Sequence, residues 1–133
     1  MQRKCEPCAG GIVLDAGRLL VIRRGRPPSA GMWSIPGGRC EPDEAPRDTC
    51  VREVAEETGM LVEVLRSVGR VTRDGPGGVR YDIEDFLCAV LGGTLRAGDD
   101  AMDARWVTRA ELAALDTAPG VVEALASWGL LPS

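Results

Sequence analysis

The stretch from Gly38 to Met60 holds seven acidic residues, Glu41, Asp43, Glu44, Asp48, Glu53, Glu56 and Glu57, against three arginines, Arg39, Arg47 and Arg52. The chain's net charge of −4 therefore resides in this segment, and the remainder is neutral. On a helix advancing about 100° per residue, Glu53, Glu56 and Glu57 share one side roughly 100° wide. Val51, Val54, Ala55 and Thr58 fall opposite, on the natural core face. A solvated helix face is the ordinary explanation of such a pattern, and three details count against it. The carboxylates sit at the C-terminal end of the helix, where the macrodipole disfavours negative charge. Arg52 stands beside them, placed to orient rather than merely neutralise. The segment is entered through Pro36-Gly37-Gly38, where glycine lets the backbone approach a ligand and offer a carbonyl. Oxygen-only donors suit Mg²⁺ or Mn²⁺, and Mg²⁺ typically bridges to substrate phosphates. The chemistry indicated is metal-assisted hydrolysis or transfer on a phosphate compound.

Other chemistries are excluded by what is missing. There is no histidine, so Ser-His-Asp and Cys-His pairs, His zinc sites and imidazole acid–base catalysis are absent. Lys4 is the only lysine. Cys5 and Cys8 form one CxxC, but Cys40, Cys50 and Cys88 are scattered singly and supply no second pair for zinc. An unbridged thiol pair at a mobile end is the expectation for Cys5 and Cys8. The local concentration of acid speaks against a nucleic-acid footprint, which needs a basic face. Neither a membrane-length apolar run nor a secretory leader is visible, so a cytoplasmic protein is expected.

The elements that must position these groups read as one domain over residues 1–133, a length with 44% hydrophobic and 27% charged residues that suits a single core. Gly11–Leu14 and Leu19–Ile22 form a hairpin around Asp15-Ala16-Gly17. Trp33–Ile35 is a short strand ending on Pro36-Gly37-Gly38. The acidic helix runs from Pro42 or Asp43 to Thr58, with Gly59 at C′. Val62–Thr72 and Val79–Leu91 flank the turn 74–78 as a second hairpin, and Gly92-Gly93 turns the chain. Ala104–Val107 is a strand, and Thr108 with Glu111 makes a capping box for a helix through Leu115. Pro119–Trp128 is the last helix, ended by Gly129. The fold class is α/β, a mixed sheet with helices on both faces.

The run Gly38-x5-Glu44-x7-Arg52-Glu53-Val54-x-Glu56-Glu57-x-Gly59-Met60 resembles the Nudix box at all nine of its restricted positions within residues 38–60. The lead-in Trp33-Ser34-Ile35-Pro36-Gly37-Gly38 and the later Arg105-Trp106-Val107 are also similar to that family. The resemblance implies a Nudix fold, an α/β/α sandwich around a mixed sheet. It implies hydrolysis of the pyrophosphate bond in a nucleoside diphosphate linked to another moiety, with a small nucleotide as substrate. It implies that the Gly37 carbonyl and Glu53, Glu56 and Glu57 bind Mg²⁺, for which Mn²⁺ can substitute. Arg52 and Glu44 would pair, with Arg52 also holding a catalytic carboxylate. Glu53 is the first choice of general base, and a later loop offers Asp99, Asp100 and Asp103 instead. Family members often form homodimers, and one is compatible with this chain.

The substrate is only lightly marked. Pro76, 16 residues beyond Met60, lies near the spacing associated with ADP-ribose hydrolases, although a Gly-Pro-Gly-Gly turn explains it equally. Tyr81 is slightly too distant for the diadenosine polyphosphate branch. Hydrolases that cleanse oxidised nucleotide triphosphates and a non-catalytic nucleotide sensor are the alternatives; the sensor is disfavoured because all three glutamates are present. Arg23 and Arg24 alternate on a strand leading to the site, so one of them is placed to reach a substrate phosphate, and Asp100 is a further substrate-contact candidate. Trp33, Trp106, Tyr81 and Phe86 are candidates to stack on a base, each otherwise a core residue.

Overall fold

The computed structural model describes residues 4–98 and 100–133. In chain order the elements are β1 (Cys5–Asp15), β2 (Arg18–Arg24), β3 (Trp33–Ser34), β4 (Gly37–Arg39), α1 (Pro46–Thr58), β5 (Met60–Asp74), β6 (Arg80–Gly93), β7 (Ala101–Val107), α2 (Arg109–Ala114) and α3 (Val121–Ser127). The spatial order is β3-β2-β1-β6-β5, with β4 also pairing β1 and β7 pairing β2. Only the β1–β6 pairing is parallel among the described strands, so the sheet is mixed as expected.

Strand alternation sorts apolar residues onto two faces. Ala9, Val13, Phe86 and Cys88 pack against Cys50 and Val54 of α1. Ile12, Leu19 and Val21 pack with Leu112 of α2 and Leu125 of α3 on the other. Each large apolar side chain sealed this way contributes roughly 1.5–3 kcal/mol. The result is the expected α/β/α sandwich. No helix among the described residues is long and apolar enough to cross a membrane.

The acidic helix starts later than its composition suggests. Ala45 precedes Pro46 and is extended, with ψ 145°, because the proline ring disfavours helical geometry in the residue before it. The chain from Glu41 to Glu44 forms a turn instead, Glu44 N–H donating to the Glu41 carbonyl at 3.0 Å. Gly59 ends the helix at φ 77°, its N–H on the Ala55 carbonyl, a left-handed cap that suits glycine. The Thr108–Glu111 capping box is present in full. The last helix begins only at Val121, since Gly120 is left-handed at φ 86°. Cys5 and Cys8 are not at a mobile end: both lie in β1, Cys8 opposite Arg39 and Ile83, and Cys8 is buried. Burial pushes its thiol up to about 11. Gly92 and Gly93 do not turn the chain but complete β6, paired with Leu61 and Met60.

Candidate active site

Helix α1 presents its last two turns to β4, and the glycines of β4 decide how closely. A Cβ on Gly38 would stand 2.6 Å from the carboxyl carbon of Glu53, so only glycine lets that carboxylate lie against the strand. The Gly37 N–H donates to Glu57 Oε1 at 2.8 Å. The acidic side of the helix is thus solvated only at Glu56, which is exposed; Glu53 is half-buried and Glu57 is only 6% exposed. Burial and the neighbouring Glu53 charge push Glu57 up to about 8, against the pull of the Gly37 N–H and of Arg24. Glu53 is likewise raised, by burial first, while its bonds to Arg52 oppose the shift.

Arg52 is the hub of this end. Its Nε and Nη2 donate to both oxygens of Glu44 at 2.8 Å each, a fork-on-fork pairing that fixes geometry as well as charge. Its Nη1 donates to Glu53 at 2.8 Å and to Glu56 at 3.2 Å, and Nη2 also reaches the Arg39 carbonyl at 3.1 Å. Glu44 accepts from Arg52, from the Glu41 N–H at 3.0 Å and from the Thr49 hydroxyl at 2.7 Å. Those donors hold its carboxyl down to about 2. Glu44, Arg52 and Glu53 therefore form one chain of charge-assisted bonds.

Among the described residues no three acidic or thiol side chains converge as a ready ion cage, because Arg52 draws Glu53 and Glu56 towards itself. The donor set still fits a hard divalent cation. It is all oxygen, and Glu57 is buried and accepts from the Gly37 N–H, so nearby positive charge would relieve it.

Glu53 and Glu57, but not Glu56, line a cleft of about 740 Å³, a volume that suits a nucleotide-sized ligand. Of the two arginines marked in the sequence, Arg24 lines the cleft and donates to the Pro28 carbonyl at 2.6 Å. Arg23 is exposed, is bonded to the Gly31 carbonyl at 2.9 Å and lies outside the lining. Asp100 lines the cleft and pairs with Arg26 at 2.9 Å. Asp103 is turned to Arg105 and the Ala104 N–H, and Asp99 lies outside the described residues. Pro76 is exposed on the β5–β6 turn, away from the cleft lining.

The aromatics also divide. Tyr81 lines the cleft, its hydroxyl accepting from Arg39 at 2.7 Å. Trp33 and Phe86 are core, and Trp106 packs on the α1-side core. Among the lining residues that sequence reasoning missed are Arg73, Asp85 and Trp128. Asp85 carried a signal, an acid at an inward position of a strand between Ile83 and Leu87; Trp128 carried none beyond its place at a helix end.

A sequence model of the NUDIX domain matches residues 6–127. The chain is 36% identical over 99 residues to an ADP-ribose pyrophosphatase of Methanocaldococcus jannaschii, covering 72% of this chain and 57% of that protein. It is 36% identical over 110 residues to a putative 8-oxo-dGTP diphosphatase 2 of Mycobacterium tuberculosis, covering 82% and 77%. The chain thus spans little more than half the length of the first of these relatives. In fold it is similar to the crystal structure of a MutT protein from Methanosarcina mazei, with TM-score 0.83 over 97% of this chain and 96% of that one, at 20% identity.

Proposed function

The chain belongs to the Nudix hydrolase family, and we propose that it hydrolyses the pyrophosphate bond of a nucleoside diphosphate linked to another moiety, in a Mg²⁺-dependent reaction that Mn²⁺ also supports. ADP-ribose or a related small nucleotide is the first substrate. The observation that carries this reading is Glu57 bonded to the Gly37 N–H and Glu53 lying against Gly38 in the wall of a nucleotide-sized cleft, with Glu56 tied to Glu53 through Arg52 just outside that wall. Glu53, Glu56, Glu57 and the Gly37 carbonyl would hold the cation. When bound, the cation supplies Lewis-acid chemistry, withdrawing charge from the phosphoryl oxygens.

The protein's own groups do the rest. Glu53, lifted by burial and pinned by Arg52 at 2.8 Å, takes the proton of the water that attacks phosphorus in line. Arg52 orients that carboxylate and is itself held by Glu44. Arg24, in the cleft wall, binds a substrate phosphate. Asp100, also in the wall, is the runner-up base, although its pairing with Arg26 occupies it. Arg23, bonded to its loop, is left outside the reaction. The expected setting is the cytoplasm, as a monomer or homodimer.

A second reading, cleansing of oxidised nucleoside triphosphates, is favoured by the tuberculosis relative, of whose length this chain spans 77%. The test is phosphatase-coupled phosphate release from ADP-ribose, sugar nucleotides, dinucleoside polyphosphates, and normal and oxidised triphosphates. It compares wild type with Glu57→Gln, with Mg²⁺, with Mn²⁺ and with EDTA. Activity on one class, abolished by Glu57→Gln and by EDTA, is expected. Silence across the panel while ADP-ribose still binds by calorimetry would replace the enzyme by a nucleotide sensor.

A further inference from the structure

The alternation of β6 puts Asp85 on the face that carries Ile83 and Leu87, towards α3 rather than α1. It is 4% exposed, it lines the cleft, and its Oδ1 has no hydrogen-bond partner. A buried carboxylate left without donors is costly, so this position is not explained by stability.

The strands on either side explain what the position is for. Asp85 is paired with Gly10 on β1 and with Gly69 on β5. Neither glycine has a left-handed backbone, so both are there for room. A Cβ on Gly10 would collide with Asp85 Oδ1 and stand 3.2 Å from Ile35. A Cβ on Gly69 would stand 2.8 Å from the indole nitrogen of Trp128. The sheet therefore carries a notch three strands wide, with a lone carboxylate on its floor, Ile35 along one side and the Trp128 ring over the other. Burial pushes the Asp85 carboxyl up to about 7 against the pull of Arg73. Arg73 itself bonds the Thr72 carbonyl at 3.0 Å.

Gly10 also faces Gly37 on its other side. Two strand spacings, about 10 Å, thus separate Asp85 from the Gly37–Glu57 contact. A nucleotide with its phosphates at Glu53 and Glu57 covers that span with its base, while its ribose reaches only part of the way. An aromatic wall suits a flat ring. Ionised, the Asp85 carboxylate is an acceptor only, and χ2 of aspartate turns easily, so a planar edge with two adjacent N–H donors satisfies both oxygens and draws the group into that form. Guanine presents such an edge at N1 and N2. Adenine and cytosine place a ring acceptor beside their amino group, which a carboxylate repels.

We propose that Asp85 is the residue with which the cleft reads the base, selecting a guanine-type edge over adenine. The proposal rests on the reading of the cleft as a nucleotide site, and of the two substrate readings given above it favours the second, nucleoside triphosphates, over ADP-ribose. The test is direct binding of GMP, IMP, AMP and ribose 5-phosphate by calorimetry, to wild type, Asp85→Asn and Asp85→Leu, with thermal melts confirming that each variant folds. GMP should bind about tenfold or more tighter than AMP, with IMP, which lacks the 2-amino group, between them. Both variants should level the three. Equal binding of GMP and AMP to wild type, a preference that survives in Asp85→Asn, ribose 5-phosphate binding as tightly as GMP, or no GMP binding to folded wild type each overturns the proposal. Guanine-selective binding without hydrolysis of any nucleotide would sink the enzymatic reading alone. Hydrolysis with no preference among bases would sink this one alone.

Discussion

At one end of the cleft Glu53 lies against Gly38, and Arg52 donates to it at 2.8 Å. At the other end Asp85 lies against Gly10 with no donor on Oδ1. Both carboxylates need a glycine to make space for them, and both are raised by burial. They differ in company. The Glu53 end is wired through Arg52 to Glu44, so its geometry is set before any ligand arrives. The Asp85 end is a buried carboxyl beside an indole, with no donor from the protein on its Oδ1. A preorganised charged end suits the making and breaking of bonds. An unsatisfied acceptor in an apolar notch suits selection, because a ligand lacking the matching donors leaves it unpaired.

The sharpest way to break this contrast is at the charged end. Glu57→Gln and Glu53→Gln should each cut phosphate release from the best substrate by roughly 10²–10⁴-fold, with the far-UV circular dichroism unchanged; full activity in both would detach catalysis from that end. A matched pair of glycine variants comes next. Gly38→Ala drives a methyl into the Glu53 carboxylate and should cost on the order of 10² in rate, as a misplacement of about 1 Å can. Gly10→Ala crowds Asp85 and should instead level the GMP-over-AMP binding ratio. If the two produced the same phenotype, the division of labour would fail.

Proton linkage sharpens the contrast further. Glu57 and Asp85 hold their protons to about 8 and about 7 in the fold, above their ordinary 4.5 and 3.8. Folding of the metal-free protein therefore binds protons as pH rises through that range, and stability is lost between about pH 5 and pH 8. Glu44 has the opposite sign: held down to about 2, its contribution is present at neutral pH and disappears only as acid protonates it. In EDTA, Glu57→Gln and Asp85→Asn should each flatten this loss, by on the order of a few kcal/mol, read as urea midpoints at about pH 5 and about pH 9. An unchanged slope in both variants would mean that neither group is as desolvated as its burial indicates. The smallest effect lies away from both ends. Thr108→Ala removes the α2 capping box and should cost about 1 kcal/mol, a few degrees in melting temperature, with hydrolysis unchanged; a loss of activity would show that α2 is coupled to the cleft.

The charged end was legible in the residues because its logic is local. Glu53, Glu56 and Glu57 share a helix side by periodicity, Gly59 closes that helix, and Arg52 reaches Glu44 across one turn and a short lead-in. The same locality carried the Thr108–Glu111 cap. Errors of local reading were small and had local causes, such as the proline at 46 that forbids helix at Ala45.

What the tertiary structure alone decided is everything that depends on register between strands far apart in sequence. Alternation says that Arg23 and Arg24 point oppositely but not which faces the cleft; pairing with β7 and the loop bonds settle that. Asp85 as a residue type says nothing of Gly10 and Gly69, because a one-residue slip in either pairing would place a side chain where the notch now is. Trp128 reaches the site only through the packing of α3 on the sheet. Spacing along one helix is set by covalent geometry and can be counted from the sequence, whereas the floor of the cleft is set by hydrogen-bonded register and packing, which arise only when the whole sheet has closed.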